Sequence, residues 1–403
     1  MKRKSSNVSF VSLFSGCGGL DLGFIQAGFR CAAAFDLDQR SLETHRSNIG
    51  GEAYQCDLSK DFKLPGKTLQ PDIVLSGSPC QGFSTIGKRD FDDVRNSLLL
   101  RGAQIAVALN AQVFVTENVP AVQYGPHKQY WQHLQTYLQA HGYSCSTLVL
   151  NASDFGVAQL RRRLFLIATR GPAAEWSPRL SAPISLRNAI GDLVNGNSGI
   201  NNHVPRLLNS ESELAIAQRM KPGQKLCNVR GGNRAVPTWD IPEVFGTTTS
   251  KERAVLTAIT KLRRRERLRP TGDADPVQIS KLSVILGWDV QRNVEALLKK
   301  GYLKSVGSRI DFSHTFNGKF RRLQWDALSM TVDTRFGSAR NFLHPSKHRS
   351  LTVREAARIQ GFPDNFEFLG SVQDQFKMVG NAVPPPMARA LGDEVMKYLR
   401  SVG

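Results

Sequence analysis

Short apolar runs that end on polar or chain-breaking residues recur through the first 170 residues. A β-branched and aromatic run at residues 8–14 leads into the glycine-rich stretch SGCGGLDLG, and RCAAAFDLD, PDIVLSGSP and AQVFVTENVP repeat the pattern. Helix-type stretches lie between these runs, such as residues 96–110. Alternating strand and helix patterns are typical of a parallel sheet covered by helices on both faces. The pattern therefore predicts an α/β fold with a mostly parallel, doubly wound sheet.

Polar residues stand where these predicted strands end. Because ligands of doubly wound sheets gather at the carboxyl ends of the strands, the strand ends are expected to share one neighbourhood. The residues placed there are Gly16, Asp36, Pro79, Cys80, Glu117 and Asn118.

The composition of the chain changes near Gly171, where a long stretch rich in Pro, Gly, Asn and Ser begins. Further on, a helix is predicted from Ser250, with Ser250 as its cap, followed by two short helices at 278–288 and 289–300. Asp289 is the predicted cap of the last helix and Gly301 its stop. The next stretch, YLKSVGSRIDF, has the pattern of two strands around a turn, so this order predicts a winged helix-turn-helix. The predicted domains are 1–172 with 366–403, and 173–365, with 250–312 as the winged-helix unit.

The net charge of +19 is concentrated in the middle of the chain, where residues 173–365 hold 31 basic and 17 acidic residues. Within this segment, 251–269 contains eight basic and two acidic residues. A basic segment of this size suits a polyanion such as nucleic acid, although a solvated, solubilising surface has the same composition. Charge alone leaves both interpretations open.

Cysteine spacing and hydropathy exclude several classes of protein. The six cysteines form no CxxC pair, which argues against a structural zinc site and a disulfide framework, and no metal is expected. No stretch approaches the roughly 18 apolar residues of a membrane span. The sequence therefore predicts a cytoplasmic protein with reduced thiols.

The first loop and the acids after it suggest a nucleoside-type cofactor. Gly16, Gly18, Gly19 and Gly23 permit close approach of a ligand to the backbone before a helix. Carboxylates at Asp36 and Asp38 could accept the ribose hydroxyls, and Asp57 could accept from an adenine amino group. A helix or turn cap explains each of these acids equally well when it is taken singly.

Cys80 has the setting of a nucleophile, because a strand end that opens into a loop exposes a thiol and Pro79 makes its approach rigid. Glu117 ends the neighbouring strand and could protonate a ring nitrogen. Arg161 and Arg163 lie two residues apart, on one face of an extended segment. A buried cysteine, a salt-bridged glutamate or a solvated arginine is ordinary by itself, but their combination predicts an active site.

In these stretches the sequence resembles the DNA (cytosine-5) methyltransferase family. The stretches that carry the resemblance follow the family's order: FSGCGGLDLGF, FDLD, CDLS, GSPCQGFS, ENVP, QLRRRLFLIA, REAARIQGFPDNF and GNAVPPPMARAL. It covers about 1–170 and 328–400, while 173–327 corresponds to the family's variable target-recognition region. The family often has an aromatic residue after the ribose-binding acid, and here Leu37 follows Asp36. The resemblance implies a Rossmann-like methyltransferase domain that binds S-adenosyl-L-methionine, with an inserted target-recognition domain.

The resemblance also implies roles for single residues. Cys80 would add to carbon 6 of a flipped cytosine so that carbon 5 can attack the methyl group, and Glu117 would hold and protonate ring N3. Arg163, with Arg161, would contact the carbonyl oxygen of the base and nearby phosphate and help keep Cys80 ionised, while Asn118 would order the loop that carries Pro79. The predicted cofactor-binding residues are Phe14, Gly16, Gly18, Gly19, Leu20, Asp36, Leu37, Asp57, Leu58, Ser78, Leu98, Asn381 and Ala382.

The expected partner is double-stranded DNA, which implies base flipping and a second element to read the duplex. Predicted DNA-binding residues are Gln81, Ser84 and Arg95 near Cys80, and Gln291, Arg292 and Asn293 near the start of the predicted recognition helix. The alternative for that helix unit is a packing insert or a dimerisation module. A cognate restriction endonuclease would be a functional partner. Two alternative functions stay open, a tRNA methyltransferase with the same catalytic residues and a DNA-binding regulator on this scaffold.

Overall fold

The computed structural model describes residues 8–60, 70–79, 97–195, 199–208, 210–228, 232–265, 275–313 and 315–402. Four residues predicted to act in the site, Cys80, Gln81, Ser84 and Arg95, lie outside these described ranges. The chain divides into two compact units. The first comprises Met1–Val204, Trp325–Arg335 and Thr352–Gly403, and the second comprises Pro205–Gln324 and Phe336–Leu351.

A seven-stranded sheet forms the centre of the first unit. Its strands are β1 (Ser9–Leu13), β2 (Arg30–Asp36), β3 (Glu52–Gln55), β4 (Ile73–Ser76), β5 (Val113–Asn118), β6 (Ser144–Asn151) and β7 (Arg162–Thr169). The strand order is β3-β2-β1-β4-β5-β7-β6, with β1 to β5 parallel and β7 antiparallel to both of its neighbours. The prediction of an α/β fold with a mostly parallel sheet is confirmed.

Helices cover both faces of this sheet. In the first part of the chain they are α1 (Gly19–Gln26), α2 (Gln39–Asn48), α3 (Leu98–Ala108), α4 (Lys128–Ala140) and α5 (Leu186–Ile190). Neighbouring strand residues face opposite sides, so Phe10 belongs to one hydrophobic core and Val11 to the other. Both side chains are fully buried.

The second unit contains small sheets and short helices. Its elements are α6 (Glu211–Arg219), β8 (Lys225–Leu226), β9 (Ala235–Val236), α7 (Pro242–Phe245), α8 (Ser250–Arg265), β10 (Val277–Gln278), α9 (Ile279–Leu286), α10 (Gln291–Lys300), β11 (Leu303–Val306), β12 (Arg309–Phe312), β13 (Arg321–Arg322) and β14 (Phe342–Leu343). Strands β10, β12 and β11 form an antiparallel sheet in that order. Helices α8, α9 and α10 share one apolar core with this sheet.

The predicted helix boundaries in this unit are close to those observed. Gly301 ends α10 in the left-handed conformation, as expected. The N-cap of α10 is Val290 rather than Asp289, although the Asp289 carboxylate accepts a hydrogen bond from the Gln291 amide at 3.0 Å. The cap of α8 is Thr249 rather than Ser250. The Thr249 hydroxyl accepts from the Glu252 amide and the Glu252 carboxylate accepts from the Thr249 amide. This reciprocal pair satisfies two amides that the helix leaves unbonded.

The chain returns to the first unit with α11 (Val353–Ile359), α12 (Val372–Asn381) and α13 (Pro385–Val402). Helix α13 packs tightly on α1, because Gly23 brings the two backbones together. A Cβ atom at Gly23 would lie 2.4 Å from the Cβ of Ala388. Short 3₁₀ helices occur at Pro120–Gln123, Gly125–His127, Ala152–Asp154, Gly191–Asn195, Gly232–Arg234 and Thr238–Asp240.

The unit boundaries differ from the predicted domain boundaries. The polar stretch after Gly171 belongs to the first unit up to Val204, although its composition suggested the recognition domain. Its contacts explain this. The Ser146 hydroxyl on edge strand β6 donates to the Ala174 carbonyl, and the Trp176 ring packs on Tyr398 with centroids 5.6 Å apart. No helix among the described residues is long and apolar enough to cross a membrane.

Candidate active site

A cleft of about 610 Å³ opens in the first unit, where β1, β2, β4 and β5 end. The predicted site residues that line it are Phe14, Gly16, Gly19, Leu20, Asp36, Leu37, Asp57, Leu58, Ser78, Pro79, Leu98, Glu117, Arg161, Arg163, Asn381 and Ala382. Those that follow β1, β2, β4 and β5 come together because the carboxyl ends of parallel strands meet at one edge of the sheet, and Arg161 and Arg163 join them because β7 runs antiparallel to β5. Gly18 and Asn118 are not among the lining residues.

The glycine loop forms one wall of the cleft, and its glycines are required for space. Gly18 has φ +94°, and a Cβ atom there would lie 2.8 Å from Cγ1 of Ile49. A Cβ atom at Gly19 would lie 2.5 Å from the carbonyl oxygen of Val383. Side chains at either position would push the loop away from α2 or from the segment before α13.

The Asp36 carboxylate is held rigidly at the end of β2. One oxygen accepts the Gly16 amide at 2.8 Å and the other accepts the Asp38 amide at 2.8 Å. Burial raises the pKa of Asp36, while these two amide hydrogen bonds act to lower it. Each oxygen keeps a second lone pair, so the carboxylate can still accept two hydroxyl groups from a ligand.

Asp38 caps α2, which is the alternative that the sequence left open for it. Its carboxylate accepts the Arg40 and Ser41 amides at the start of α2 and pairs with Lys377 Nζ at 2.6 Å. Burial acts to raise the pKa of Asp38, but the hydrogen bond and charge of Lys377 outweigh it, and the pKa is lowered. Lys377 lies on α12 and also lines the cleft. The sequence offered no signal for this lysine, because its partner is 339 residues away.

Asp57 forms a local turn at the far end of the cleft. Its carboxylate accepts the Ser59 hydroxyl at 2.6 Å and the Ser59 amide at 3.1 Å, and these bonds lower its pKa. The turn-cap explanation therefore accounts for Asp57, and a ligand contact remains compatible with its position in the lining. Leu58 beside it is buried, whereas Leu37 is 63% exposed.

Glu117 and Arg163 form an ion pair on adjacent strands. Arg163 Nε lies 2.6 Å from Glu117 Oε1, and the two side chains are only 14% and 12% exposed. The pair arises because β7 lies beside β5 in the sheet, with Glu117 opposite Phe165. Pro79 lines the same cleft, so residue 80 follows directly from a cleft-lining position.

Asn118 is fully buried and connects two loops. Its Nδ2 donates to the Ser78 hydroxyl at 3.5 Å, and its Oδ1 accepts the Val119 amide at 2.9 Å. Ser78 stands two residues before Cys80. These bonds are those expected of a residue that orders the loop after β4.

The contacts of Arg161 differ from those of a residue that only meets a ligand. Its side chain is 1% exposed, and its guanidinium donates to the carbonyls of Val332 (2.9 Å), Gly380 (3.1 Å) and Ala382 (2.9 Å). Arg161 and Arg163 both line the cleft. Because these three hydrogen bonds go to protein carbonyls, we propose that Arg161 positions the cleft wall, and its contact with the base stays a prediction.

A buried polar group that the sequence did not reveal lies beneath the glycine loop. Asp21 accepts the Ser12 hydroxyl at 2.7 Å and lies 2.7 Å from Nε2 of His45, and Cys31 lies nearby. These residue types can ligate metal ions, but the hydrogen bonds with Ser12 and His45 already explain why Asp21 is buried here. The three residues come from α1, β2 and α2, so no spacing rule could have connected them.

In the second unit, Gln291, Arg292 and Asn293 occupy the first turn of α10. Gln291 and Arg292 are exposed and Asn293 is half-buried, and Gln291 donates to Glu295 at 2.8 Å. Part of the predicted basic surface is structural. Arg263 forms a buried pair with Asp311, and Arg253 pairs with Asp240.

Comparison with known proteins agrees with this site. The family model of the C-5 cytosine-specific DNA methylases matches residues 8–397. The chain is 33% identical over 408 residues to the Type II methyltransferase M.XorII of Xanthomonas oryzae pv. oryzae, covering 97% of this chain and 85% of that protein. It is 28% identical to M.AgeI of Thalassovita gelatinovora, with 96% and 98% covered.

A solved structure described as a DNA modification methyltransferase encoded within an E. coli prophage is similar at TM-score 0.59. The identity is 21%, and 98% of this chain and 99% of that chain are covered. This likeness concerns the fold alone.

Proposed function

The chain belongs to the C-5 cytosine-specific DNA methylase family, and we propose that its cleft binds S-adenosyl-L-methionine and methylates carbon 5 of a cytosine in duplex DNA. The observation that supports this best is the Glu117–Arg163 pair, which shares one cleft with Pro79 and Asp36. Glu117, Arg163 and Pro79, the residue before the proposed nucleophile, thus line the same pocket as Asp36.

The residues present fit the proposed cofactor. The cleft volume of about 610 Å³ lies within the range of roughly 300–1,000 Å³ that is usual for small-molecule sites. Asp36 would accept the ribose hydroxyls, and the Gly16–Gly19 loop would face the amino-acid portion of the cofactor. Asp57 and Leu58 would lie along the adenine, with Phe14, Leu20, Leu37, Ser78, Leu98, Asn381 and Ala382 completing the wall. When bound, S-adenosyl-L-methionine supplies an electrophilic methyl group.

The chain's own residues would activate the base. Carbon 5 of cytosine is a poor nucleophile, so addition of the Cys80 thiolate to carbon 6 would convert the ring into an enamine. Once the entering base has displaced Arg163, Glu117 would bind a proton from solvent and donate it to ring N3 as negative charge develops, and Arg163 would stabilise the carbonyl oxygen. Glu117 would take this proton back when Cys80 is eliminated. Pro79 and Asn118 would keep the Cys80 loop in place. Loss of the carbon 5 proton to a base and elimination of Cys80 would then restore the aromatic ring.

Arg163 would change partners during this cycle. In the structure described here its Nε points at Glu117. A cytosine that enters the cleft would place N3 against Glu117 and its carbonyl oxygen against the guanidinium. Both side chains would then bind the base. The ion pair therefore orients Glu117 and Arg163 for this contact before the substrate binds.

DNA binding would need a second surface, because the target carbon cannot be reached inside a duplex and flipping costs a few kcal/mol. Gln81, Ser84 and Arg95 would contact the flipped nucleotide and its surroundings. In the second unit, helices α8, α9 and α10 with the sheet β10-β12-β11 support a winged-helix assignment, and we propose that the first turn of α10 reads the major groove.

The relatives M.XorII and M.AgeI are Type II methyltransferases. We therefore propose that this chain is the modification enzyme of a restriction-modification system, with a cognate endonuclease as functional partner. It would act in the cytoplasm, on nucleoid DNA.

Transfer of labelled methyl from S-adenosyl-L-methionine to mixed-sequence duplex DNA, read at base resolution, tests this function. We expect methylcytosine at one short recurring motif with the wild type and none with Cys80→Ser. No transfer by a folded protein that binds the cofactor would refute the DNA assignment. Transfer to tRNA in a parallel reaction would then favour the RNA alternative.

The recognition proposal has its own test. Replacing Gln291, Arg292 and Asn293 by alanine should relax or abolish the sequence preference at one or more positions of the motif, because a lost bidentate base contact costs about 1–3 kcal/mol of discrimination. An unchanged motif and an unchanged rate would refute base reading by α10. Alanine at Glu295, which is exposed one turn later and bonds Gln291, serves as a neighbouring control.

A further inference from the structure

Three buried polar side chains tie distant segments of the first unit together. Gln159 and Gln360 are fully buried, and Arg161 is 1% exposed. Gln159 Nε2 donates to Gln360 Oε1 at 2.5 Å and to the Ile359 carbonyl at 3.2 Å. Buried amide and guanidinium groups are costly to leave unbonded, so this arrangement holds its partners in one geometry.

One set of partners is the C-terminal wall of the cofactor cleft. Arg161 donates to the Gly380 and Ala382 carbonyls, and Gln360 Nε2 donates to the Val379 carbonyl at 2.7 Å and the Ala382 carbonyl at 3.3 Å. Gly380 and Ala382 line the cleft together with Asn381. The position of this wall therefore depends on Arg161 and Gln360.

The other set of partners is Trp325–Arg335, which we call the connecting segment. Arg161 donates to the Val332 carbonyl, and Gln159 Oε1 accepts the Val332 amide at 2.9 Å. The Thr331 hydroxyl donates to the Leu160 carbonyl at 2.7 Å. This segment belongs to the first unit, yet residues of the second unit precede and follow it in the chain.

The connecting segment also touches the cofactor wall directly. A Cβ atom at Gly380 would lie 2.4 Å from the Thr334 amide nitrogen. The absence of a side chain at Gly380 thus lets α12 lie flat against the segment. Movement of Val332–Thr334 would be transmitted to Gly380 and Ala382, because close-packed contacts cannot absorb it.

We propose that Arg161 is a positioning residue that couples cofactor binding to DNA binding. The inference rests on the proposed function, in that the second unit binds the duplex and the cleft binds S-adenosyl-L-methionine. The guanidinium of Arg161 joins the cofactor wall to the chain segment by which the second unit is attached. A duplex that restrains the second unit also restrains this segment, and the cofactor wall gains the same restraint. By linkage, the cofactor must then strengthen DNA binding by the same factor.

The test measures the factor by which bound DNA strengthens cofactor binding. Calorimetric titration gives the Kd of S-adenosylhomocysteine for the free protein and for its complex with a duplex that carries the methylated motif. We expect the wild type to bind this probe about 5- to 150-fold more tightly in the complex, the usual range of allosteric coupling. Arg161→Lys, which keeps the charge but not the three-way geometry, should reduce the factor to below about 2-fold.

Two further variants distinguish a specific effect of Arg161 on the coupling factor from a general effect of substitution. Arg162→Lys changes the neighbouring, exposed arginine and should leave the wild-type factor unchanged. Gln360→Met removes the bonds to Val379, Ala382 and Gln159 but none of those made by Arg161, and it should lower the factor in the same direction, which covers the case that Arg161→Lys does not fold.

Two results would overturn the inference. One is equal binding of S-adenosylhomocysteine by the free wild type and by its DNA complex. The other is that the Arg161 and Gln360 variants bind both the cofactor probe and the duplex more weakly but keep the wild-type coupling factor. Methyl transfer by the same wild-type sample separates this failure from failure of the proposed function.

Discussion

Glu117→Gln keeps the size of the side chain but removes the carboxyl group, which pairs with Arg163 when it is ionised and would give its proton to the base when it is protonated. Because general acid catalysis by a positioned side chain contributes about 10²- to 10⁴-fold, we expect the single-turnover methylation rate to fall by that amount. The cofactor affinity should stay unchanged, since Glu117 lies on β5 and Asp36 on β2 at the other side of β1.

The structural cost of this change can be worked out from the ion pair. Two unit charges about 4 Å apart interact by about 4 kcal/mol at an effective dielectric constant of about 20. Desolvation of a pair that is 14% and 12% exposed offsets much of this gain, and the glutamine oxygen can still accept from Arg163. We therefore expect a loss of about 1–2 kcal/mol, and a protein of ordinary stability, about 5–15 kcal/mol, stays folded.

Rapid-quench transfer of labelled methyl, at saturating cofactor and duplex, measures the chemical step. Glu43→Gln is a matched control, because it removes a glutamate that pairs with Arg40 at 2.8 Å on α2, away from the base-binding end. It should lower neither rate nor affinity. A Glu117→Gln rate within ten-fold of the wild type, in a folded protein with unchanged cofactor affinity, would refute the assigned role.

Three other changes have defined outcomes. Gly19→Ala places a Cβ atom 2.5 Å from the Val383 carbonyl oxygen, so the unfolding free energy should fall by about 1–3 kcal/mol and the cofactor Kd should rise. Alanine at Gly50, where nothing lies within 4 Å of the added Cβ atom, should leave the cofactor Kd unchanged. Equal Kd values for the two variants in calorimetry would contradict this. Because burial raises the pKa of Asp36, cofactor affinity should weaken on acidification at a pH above the ordinary aspartate value of about 3.9, and Asp36→Asn should bind weakly without that pH dependence. The contribution of Asp36 to the stability of the free protein depends on pH in the opposite direction. It is fully present below the pKa of Asp36 in the unfolded chain and is lost as pH rises through the raised pKa in the folded protein. Urea unfolding of the wild type and Asp36→Asn at acidic and neutral pH measures this difference. Lys377→Met breaks a pair that is 55% and 32% exposed, so urea unfolding should show a loss of no more than about 1 kcal/mol; a larger loss would mean that Lys377 holds the cleft wall in place.

Much of the first unit could be predicted from local pattern. Strands buried on both faces appear as continuous apolar runs, and the residue after each run is placed by the strand itself at the edge where ligands bind. For this reason Gly16, Asp36, Pro79 and Glu117 were predicted together, and the structure brings them to one cleft. The helix pattern of the second unit was equally local: Gly301 ends α10 as predicted, and the observed N-cap, Val290, is one residue from the predicted Asp289.

The contacts of individual polar side chains could not be predicted in this way. Spacing places Arg161 and Arg163 on one face, but their partners come from other parts of the chain. Arg163 meets Glu117 because β7 inserts between β5 and β6, and Arg161 meets Gly380 and Ala382 more than 200 residues away. Similarly, the composition of 173–204 suggested a different domain, because a polar stretch that covers a sheet edge has no periodic signal.

The sequence by itself therefore determined the α/β class, the residues at the strand ends and the family, because these depend on short-range periodicity and on motifs within single segments. Only the tertiary structure showed which arginine pairs with Glu117, which one binds the carbonyls of the cleft wall, and where the two units divide. Those outcomes depend on hydrogen bonds and close packing between segments that are far apart in the chain. Such contacts leave no trace in local spacing, because a buried donor needs only some acceptor at the right distance, whatever its place in the sequence.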